Sequence, residues 1–211
     1  MTNFPLSLLT GYAAFRKNHF FQENKRYKVL AEKGQTPEIL VIACCDSRAG
    51  PETIFNTRPG EIFVIRNVAN MIPPRKPDGQ HHSTSAALEF AVTTLKVKHI
   101  LVMGHGRCGG IAAALASPSG SREPGDFIGN WMDLLTPSTQ KVLAAPDLAP
   151  AEQQLALERA SIIRSIDNLR TFPAVRQREA QGKLQLHGGW FDISSGELWV
   201  YDADLGQFVQ P

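Results

Sequence analysis

Cysteine is scarce in this chain, with three among 211 residues. A small odd number excludes a disulfide framework, and a reducing cytoplasm is the expected compartment. No uninterrupted apolar run approaches the roughly 18 residues that a bilayer-spanning helix needs, so no membrane partner is expected. The opening residues carry no Lys or Arg ahead of the broken apolar stretch from Phe4 to Phe15, which argues against a secretory signal. An excess of one charge is also missing: 22 Lys and Arg against 20 Asp and Glu leave +2, spread along the sequence. Without a basic stripe to follow a phosphate backbone, nucleic acid is not an expected partner. There is no internal repeat.

What is present is a set of short apolar runs alternating with helical patterns. Ile39 to Ala43, Ile62 to Ile65 and His99 to Met103 read as buried strands, and Leu88, Ala91, Val92 and Leu95 lie on one face of a helix between them. That alternation predicts an α/β fold with a central, mostly parallel β-sheet flanked by helices. Leu8, Tyr12 and Phe15 mark an amphipathic helix from Leu6 to Ala31, an N-terminal arm whose apolar face needs covering, in this reading by a second subunit. Gly109-Gly110 opens a further helix, a long one is expected from Ala151 to Phe172 with Pro173 as its stop, and Leu184–Ile193 with Leu198–Tyr201 form a C-terminal hairpin turned at Ser194 to Glu197. The length suits a single domain over 1–211, with an arm (1–34), a core (35–117) and C-terminal helices and hairpin (118–211). The polar, Pro-rich stretch from Pro73 to Gln80 is expected at the surface.

The chemistry is concentrated at two strand ends. One run leads into Cys44-Cys45-Asp46-Ser47-Arg48 and another into His105-Gly106-Arg107-Cys108. Two thiols and an imidazole delivered to one sheet edge can hold zinc with a fourth position open. Asp46 and Arg48, two apart, can form a bidentate pair that keeps the carboxylate ionised and fixed; an Asp46 released from Arg48 could instead close the metal's fourth position. Two thiolates cancel the ion's formal charge, so a bound water should be less acidic than in a three-histidine site and activity should rise toward alkaline pH.

Cys44-x-Asp46-Ser47-Arg48, Arg66-Asn67-Val68-Ala69-Asn70 and Gly104-His105-x-x-Cys108-Gly109-Gly110, in that order, resemble the β-class carbonic anhydrases, most clearly from about Gln35 to Ile111. The resemblance implies reversible hydration of carbon dioxide to bicarbonate and a proton by zinc-bound hydroxide. It implies one zinc ion per subunit on Cys44, His105 and Cys108, an Asp46–Arg48 dyad that orients the nucleophile, and a homodimer or assembly of dimers. The plant-type branch is nearest: Gln35 matches a glutamine that binds bicarbonate from the neighbouring subunit, and Phe63 matches an apolar pocket wall. Phe90 stands in that pocket where a tyrosine is usual, and Thr94 where a histidine can occur, so two groups associated with proton relay are missing. The branch controlled by bicarbonate has a tryptophan where this chain has Val41. Ser83 and Ala49-Gly50 also depart from the common pattern without touching a ligand.

Other readings compete. Gly104-x-Gly106-x-x-Gly109 after a strand fits a dinucleotide-binding turn, with Asp126 near the distance of the acidic partner. Cys45 is expected to be an inert packed thiol. His81 and His82 read as solvated loop residues with a proton-carrying role as the alternative, His187 as a satisfied strand-end histidine, and Arg66 as a donor to loop carbonyls.

Overall fold

The computed structural model describes residues 3–117, 127–145 and 147–211. The apolar runs become β1 (Ile39–Cys44), β2 (Ile62–Asn67) and β3 (His99–His105), followed by β4 (Gln185–Phe191), β5 (Leu198–Asp202) and β6 (Gln207–Val209). They form one sheet in the order β2-β1-β3-β4-β5-β6, parallel from β2 to β4 and antiparallel beyond. From β1 the chain passes outward to β2, then returns across β1 to β3 on its other side. The order therefore reverses between β1 and β3, and in such sheets the crevice beyond the strand C-termini at that reversal is where ligands bind.

One face of the sheet packs Leu40, Ile42, Ile100 and Val102 against α4 (Ser83–Glu89) and its π-helical extension Phe90–Leu95, α8 (Pro150–Leu169) and α9 (Pro173–Ala180). The opposite face is smaller, with Val41, Ala43 and Met103 covered by Ile54 of α3 (Pro51–Ile54) and by Phe55. A separate apolar cluster surrounds the C-terminal ends of β1 and β3. It joins Cys44 and Cys108 to Ile111 of α5 (Gly109–Ala116), Met132 of α6 (Phe127–Met132), Val142 of α7 (Thr136–Leu143) and Leu157 of α8.

Close approach of α8 depends on glycine. A side-chain carbon at Gly104 would sit 2.8 Å from Ile162 Cδ1, and one at Gly188 would sit 2.9 Å from Ile162 Cγ2. The missing methyls on β3 and β4 leave a flat patch into which Ile162 fits.

Three expectations need correction. The arm is two helices, α1 (Leu6–Lys17) and α2 (His19–Lys33), because Asn18 departs from helical geometry (φ −103°, ψ −73°) and ends one while starting the next. Pro173 does not stop the long helix: α8 ends at Leu169, and Pro173 opens α9 at the first helical position, where its absent N–H has no partner to lose. The hairpin gains a third strand, β6, through a turn in which Asp202 Oδ1 accepts the N–H groups of Asp204 and Leu205 and Gly206 takes φ 65°. That Asp-x-Asp-x-Gly spacing is a readable turn signal.

No residue of α1 or α2 is buried. Tyr12, Phe15, Phe20 and Tyr27 cluster between the two helices, while Leu6, Leu8 and Phe21 stay exposed. The arm is tied to the body by Arg58, which grips Glu23 at 2.8 and 3.0 Å, and by Arg26, which donates to the Pro59 carbonyl at 2.6 Å.

Candidate metal centre

Cys44 closes β1, His105 closes β3, and Cys108 follows a tight turn as the residue capping α5. The turn places Arg107 in the left-handed region at φ 56°. The two sulfurs lie 3.9 Å apart, and the ligand atoms of Cys44, His105 and Cys108 all fall within 4.8 Å of one another. All three side chains are buried.

The imidazole reveals its orientation through its partners. His105 Nδ1 lies 3.0 Å from the Gly106 carbonyl, which can only accept, so Nδ1 carries the proton and Nε2 bears the lone pair. Nε2 is buried and has no hydrogen-bond partner. A bare nitrogen aimed at two sulfurs is a soft, tridentate donor set, which fits zinc with a position left over.

The thiols are electrostatically linked. The adjacent Cys108 thiol, and more weakly the N–H of Ala69 at 3.4 Å, bring the Cys44 thiol well below its ordinary range against the resistance of burial. Cys108 is pushed up by the Cys44 sulfur and by burial, although the Gly110 and Ile111 amides favour its thiolate. The pair therefore yields one proton readily and the second reluctantly, and a dication is the natural agent for holding both as thiolates. Burial opposes a charged His105, but Cys44, the Gly106 carbonyl and Asp46 together raise its pKa.

Asp46 is clamped. Its Oδ1 accepts from Arg48 Nε at 3.0 Å and from the Arg48 backbone N–H at 2.9 Å, and Oδ2 accepts from Arg48 Nη2 at 2.7 Å. The guanidinium holds this carboxyl well below the usual carboxylate range. Asp46 Oδ2 lies 3.9 Å from His105 Nε2, beside the ligand atoms. Arg66 supports the turn from beneath, donating to the carbonyls of Cys44 (3.0 Å) and Asp46 (2.6 Å), the scaffold role expected of it.

The dinucleotide reading loses its footing here. Gly104 is needed for Ile162, Gly106 for Trp190, whose ring would lie 3.1 Å from an added carbon, and a side chain at Gly109 would meet open space. The Gly110 and Ile111 amides, which would cradle a pyrophosphate, point at the Cys108 sulfur. Asp126 lies outside the described residues.

The structure does not place Gln35, Phe63 or Phe90 in the Cys44–His105–Cys108 group. Gln35 precedes β1 whereas Cys44 ends it, and six strand residues span about 17 Å at 3.3–3.4 Å each. Phe63 pairs with Leu40, four rungs short of Cys44 and so about 13 Å away along the sheet. Phe90 packs on Phe63, ring centroids 6.0 Å apart, and is 44% exposed. Cys45 requires a correction: it is exposed, because β1 stops at Cys44 and the next residue turns away from the interior. His82 pairs with Asp78 at 2.7 Å in the surface loop, and His187 lies within β4, 3.2 Å from His99. Ser83 starts α4, and Gly50 precedes Pro51 at the start of α3, so neither departure disturbs the ligands.

Sequence reasoning missed Glu158. This carboxylate, 2% exposed, accepts the Cys108 backbone N–H at 3.1 Å and the Trp190 indole N–H at 3.0 Å. The available signal was a charge on the inward face of α8, three residues after Leu155 and four before Ile162.

Comparison with known proteins agrees with this geometry. A carbonic anhydrase family model matches residues 39–198. Beta carbonic anhydrase 3 of Arabidopsis thaliana is 36% identical over 197 residues, covering 92% of this chain and 76% of that protein. Beta carbonic anhydrase 5, chloroplastic, of the same plant is 38% identical over 194 residues, 90% of this chain but only 63% of that longer protein. Among solved structures, the β-carbonic anhydrase CcaA superposes with a TM-score of 0.89 at 32% identity, covering 98% of this chain and 91% of its own. One of two tetrameric β-carbonic anhydrases of Sordaria macrospora gives 0.77 at 31% identity, covering 96% and 97%. The chain belongs to the β-class carbonic anhydrases, a family of carbonate dehydratases. Among the described residues no helix is long and apolar enough to cross a membrane.

Proposed function

We propose that this chain hydrates carbon dioxide reversibly to bicarbonate and a proton, with one zinc ion held by Cys44, His105 and Cys108. The observation that carries this reading is the unpartnered, buried Nε2 of His105 facing two sulfurs, all within 4.8 Å. When bound there, zinc supplies the Lewis acidity that makes a water deprotonate near neutral or mildly alkaline pH.

The chain's own groups do the rest. Asp46, ionised and locked by Arg48, accepts the O–H of the attacking water at Oδ2 and aims its lone pair at the carbon of carbon dioxide. Because both of its oxygens are engaged by Arg48, Asp46 is restrained from turning toward a metal that Cys44, His105 and Cys108 would hold. The substrate has no charge and no dipole, so its pocket needs apolar walls, a role suited to Phe63 and Phe90. Gln35 then donates to an oxygen of bicarbonate. The proton leaves through solvent or buffer.

Phe63 stands four rungs along the sheet from Cys44 with Phe90 packed on it, and Gln35 precedes the opposite end of β1, which supports a site completed by a neighbouring subunit and hence a homodimer or an assembly of dimers. The exposed apolar residues of α1 and α2 are suited to such an interface. In this reading 1–211 works as one zinc-dependent domain, and three free cysteines suit a cytoplasmic setting.

Metal analysis with a hydration assay tests the proposal. Cys108→Ser is expected to lose most of the zinc and nearly all activity, since a hydroxyl is a poor ligand at neutral pH. Full zinc occupancy in that variant would overturn the ligand assignment.

A further inference from the structure

The metal-ligand turn is held from behind by a buried carboxyl group that the hydration chemistry does not use. Glu158 projects from α8 into the space under Cys108, and its two oxygens receive three N–H donors. Oε1 accepts from the Cys108 backbone at 3.1 Å and from Gln154 Nε2 at 3.0 Å, and Oε2 accepts from Trp190 Nε1 at 3.0 Å. Gln154 also reaches the Cys108 carbonyl at 3.4 Å, so both backbone groups of this ligand are tied to α8. Among the described residues no Lys or Arg comes within 4.0 Å of the Glu158 oxygens, and the nearby Arg159 guanidinium acts on it only through its charge.

We infer that Glu158 is a positioning residue for zinc, holding Cys108 Sγ at its place in the ligand set through the backbone of Cys108. The inference rests on the zinc reading above. The turn from Gly106 to Cys108 needs such support, because Arg107 sits in a left-handed conformation that a side-chain-bearing residue adopts only when its surroundings enforce it. Trp190 sets the carboxylate's orientation, and its own ring is fixed under Gly106 and by the Arg159 guanidinium 5.1 Å from its centroid.

The chemistry at Glu158 demands a carboxylate. Every neighbour of its oxygens is a donor, and an ionised carboxylate is the side chain that only accepts. An amide of the same shape turns its NH2 either toward Trp190 Nε1–H or toward the N–H groups of Cys108 and Gln154, donor against donor in both cases. Glu158→Gln is therefore a nearly isosteric variant that breaks the arrangement, and Trp190→Phe removes the opposing donor.

The test follows zinc release from the holoprotein into excess chelator, with thermal unfolding measured in parallel. Glu158→Gln is expected to release zinc on the order of 10- to 100-fold faster than the parent chain, the range found when outer-shell partners of a metal ligand are changed. Introduced into Trp190→Phe, the same change is expected to accelerate release far less. Leu169→Ala, a cavity at the other end of α8, should lower the unfolding temperature without accelerating release. Release from Glu158→Gln at the parental rate overturns the assignment, as does equal acceleration by Leu169→Ala. Should Glu158→Gln not fold, Gln154→Met removes one anchor and is expected to accelerate release to a smaller degree; an unchanged rate there overturns it as well. A parent chain that binds no zinc defeats the metal reading itself, an outcome distinct from a zinc-loaded parent with an indifferent Glu158.

Discussion

At the scale of single residues, the division of labour is set by what each side chain can give up. His105 offers a lone pair because its other nitrogen is committed to the Gly106 carbonyl, and Asp46 offers an accepting oxygen because Arg48 keeps it charged and in place. Arg48→Ala is expected to retain zinc while hydration falls by about 10- to 100-fold, because the freed Asp46 lies beside the ligand atoms and can turn toward the metal. Its unfolding temperature should move little, since the Arg48 side chain is half exposed. An unchanged hydration rate with zinc retained would remove the dyad from the mechanism. The Cys44, His105 and Cys108 group that could hold a metal is legible in the sequence because metal chemistry restricts residue type and because the adjoining apolar runs mark where strands end. Glu158 was not, since its partners are backbone and indole N–H groups 50 and 32 residues away, and a lone glutamate in a helix gives no hint of them. Residue type points Cys45 toward the interior, whereas its position one past the strand end leaves it exposed.

At the scale of elements, the sheet and α8 are fitted around missing side chains. Gly188→Ala should destabilise the chain by about 1–3 kcal/mol, read by denaturant unfolding, because its methyl would meet Ile162 at 2.9 Å and Tyr201 Cβ at 3.0 Å, both in packed elements. The β3–β4 pair also carries a titration. Burial, and secondarily the charge of His99, lowers the pKa of His187 from its ordinary 6.5. The unfolded chain then binds a proton that the folded chain resists, so stability present above about pH 6.5 is lost as pH falls below it. His187→Gln should flatten the decline in unfolding temperature between about pH 7 and pH 5; an identical slope would show that another group is responsible. The parallel strands were readable as continuous apolar runs. The break at Asn18 was not, because helical periodicity continues across it, and a Pro173 after a helical pattern reads as a stop although its geometry suits a start.

At the scale of the whole molecule, the expected metal ligands stand at the C-terminal end of β1 and the expected bicarbonate donor, Gln35, precedes its other end. A mixed dimer tests whether the chain pairs as proposed. Gln35→Ala keeps its ligands and Cys108→Ser keeps its glutamine, so a heterodimer of the two should contain one complete site and recover hydration that neither variant shows alone. Failure to recover, with heterodimers demonstrated, would place Gln35 outside the shared site. The sequence exposed the arm's need for a covering surface through its apolar spacing, but the distance between Gln35 and Cys44 emerges only once β1 is laid out straight. Most directly, protein purified without chelator should be assayed for zinc and, by stopped flow from about pH 6 to about pH 9, for carbon dioxide hydration. One zinc ion per chain and a hydration rate that rises with pH are expected; a folded, metal-free chain, or hydration undiminished in Cys108→Ser, would refute the assignment of zinc to Cys44, His105 and Cys108.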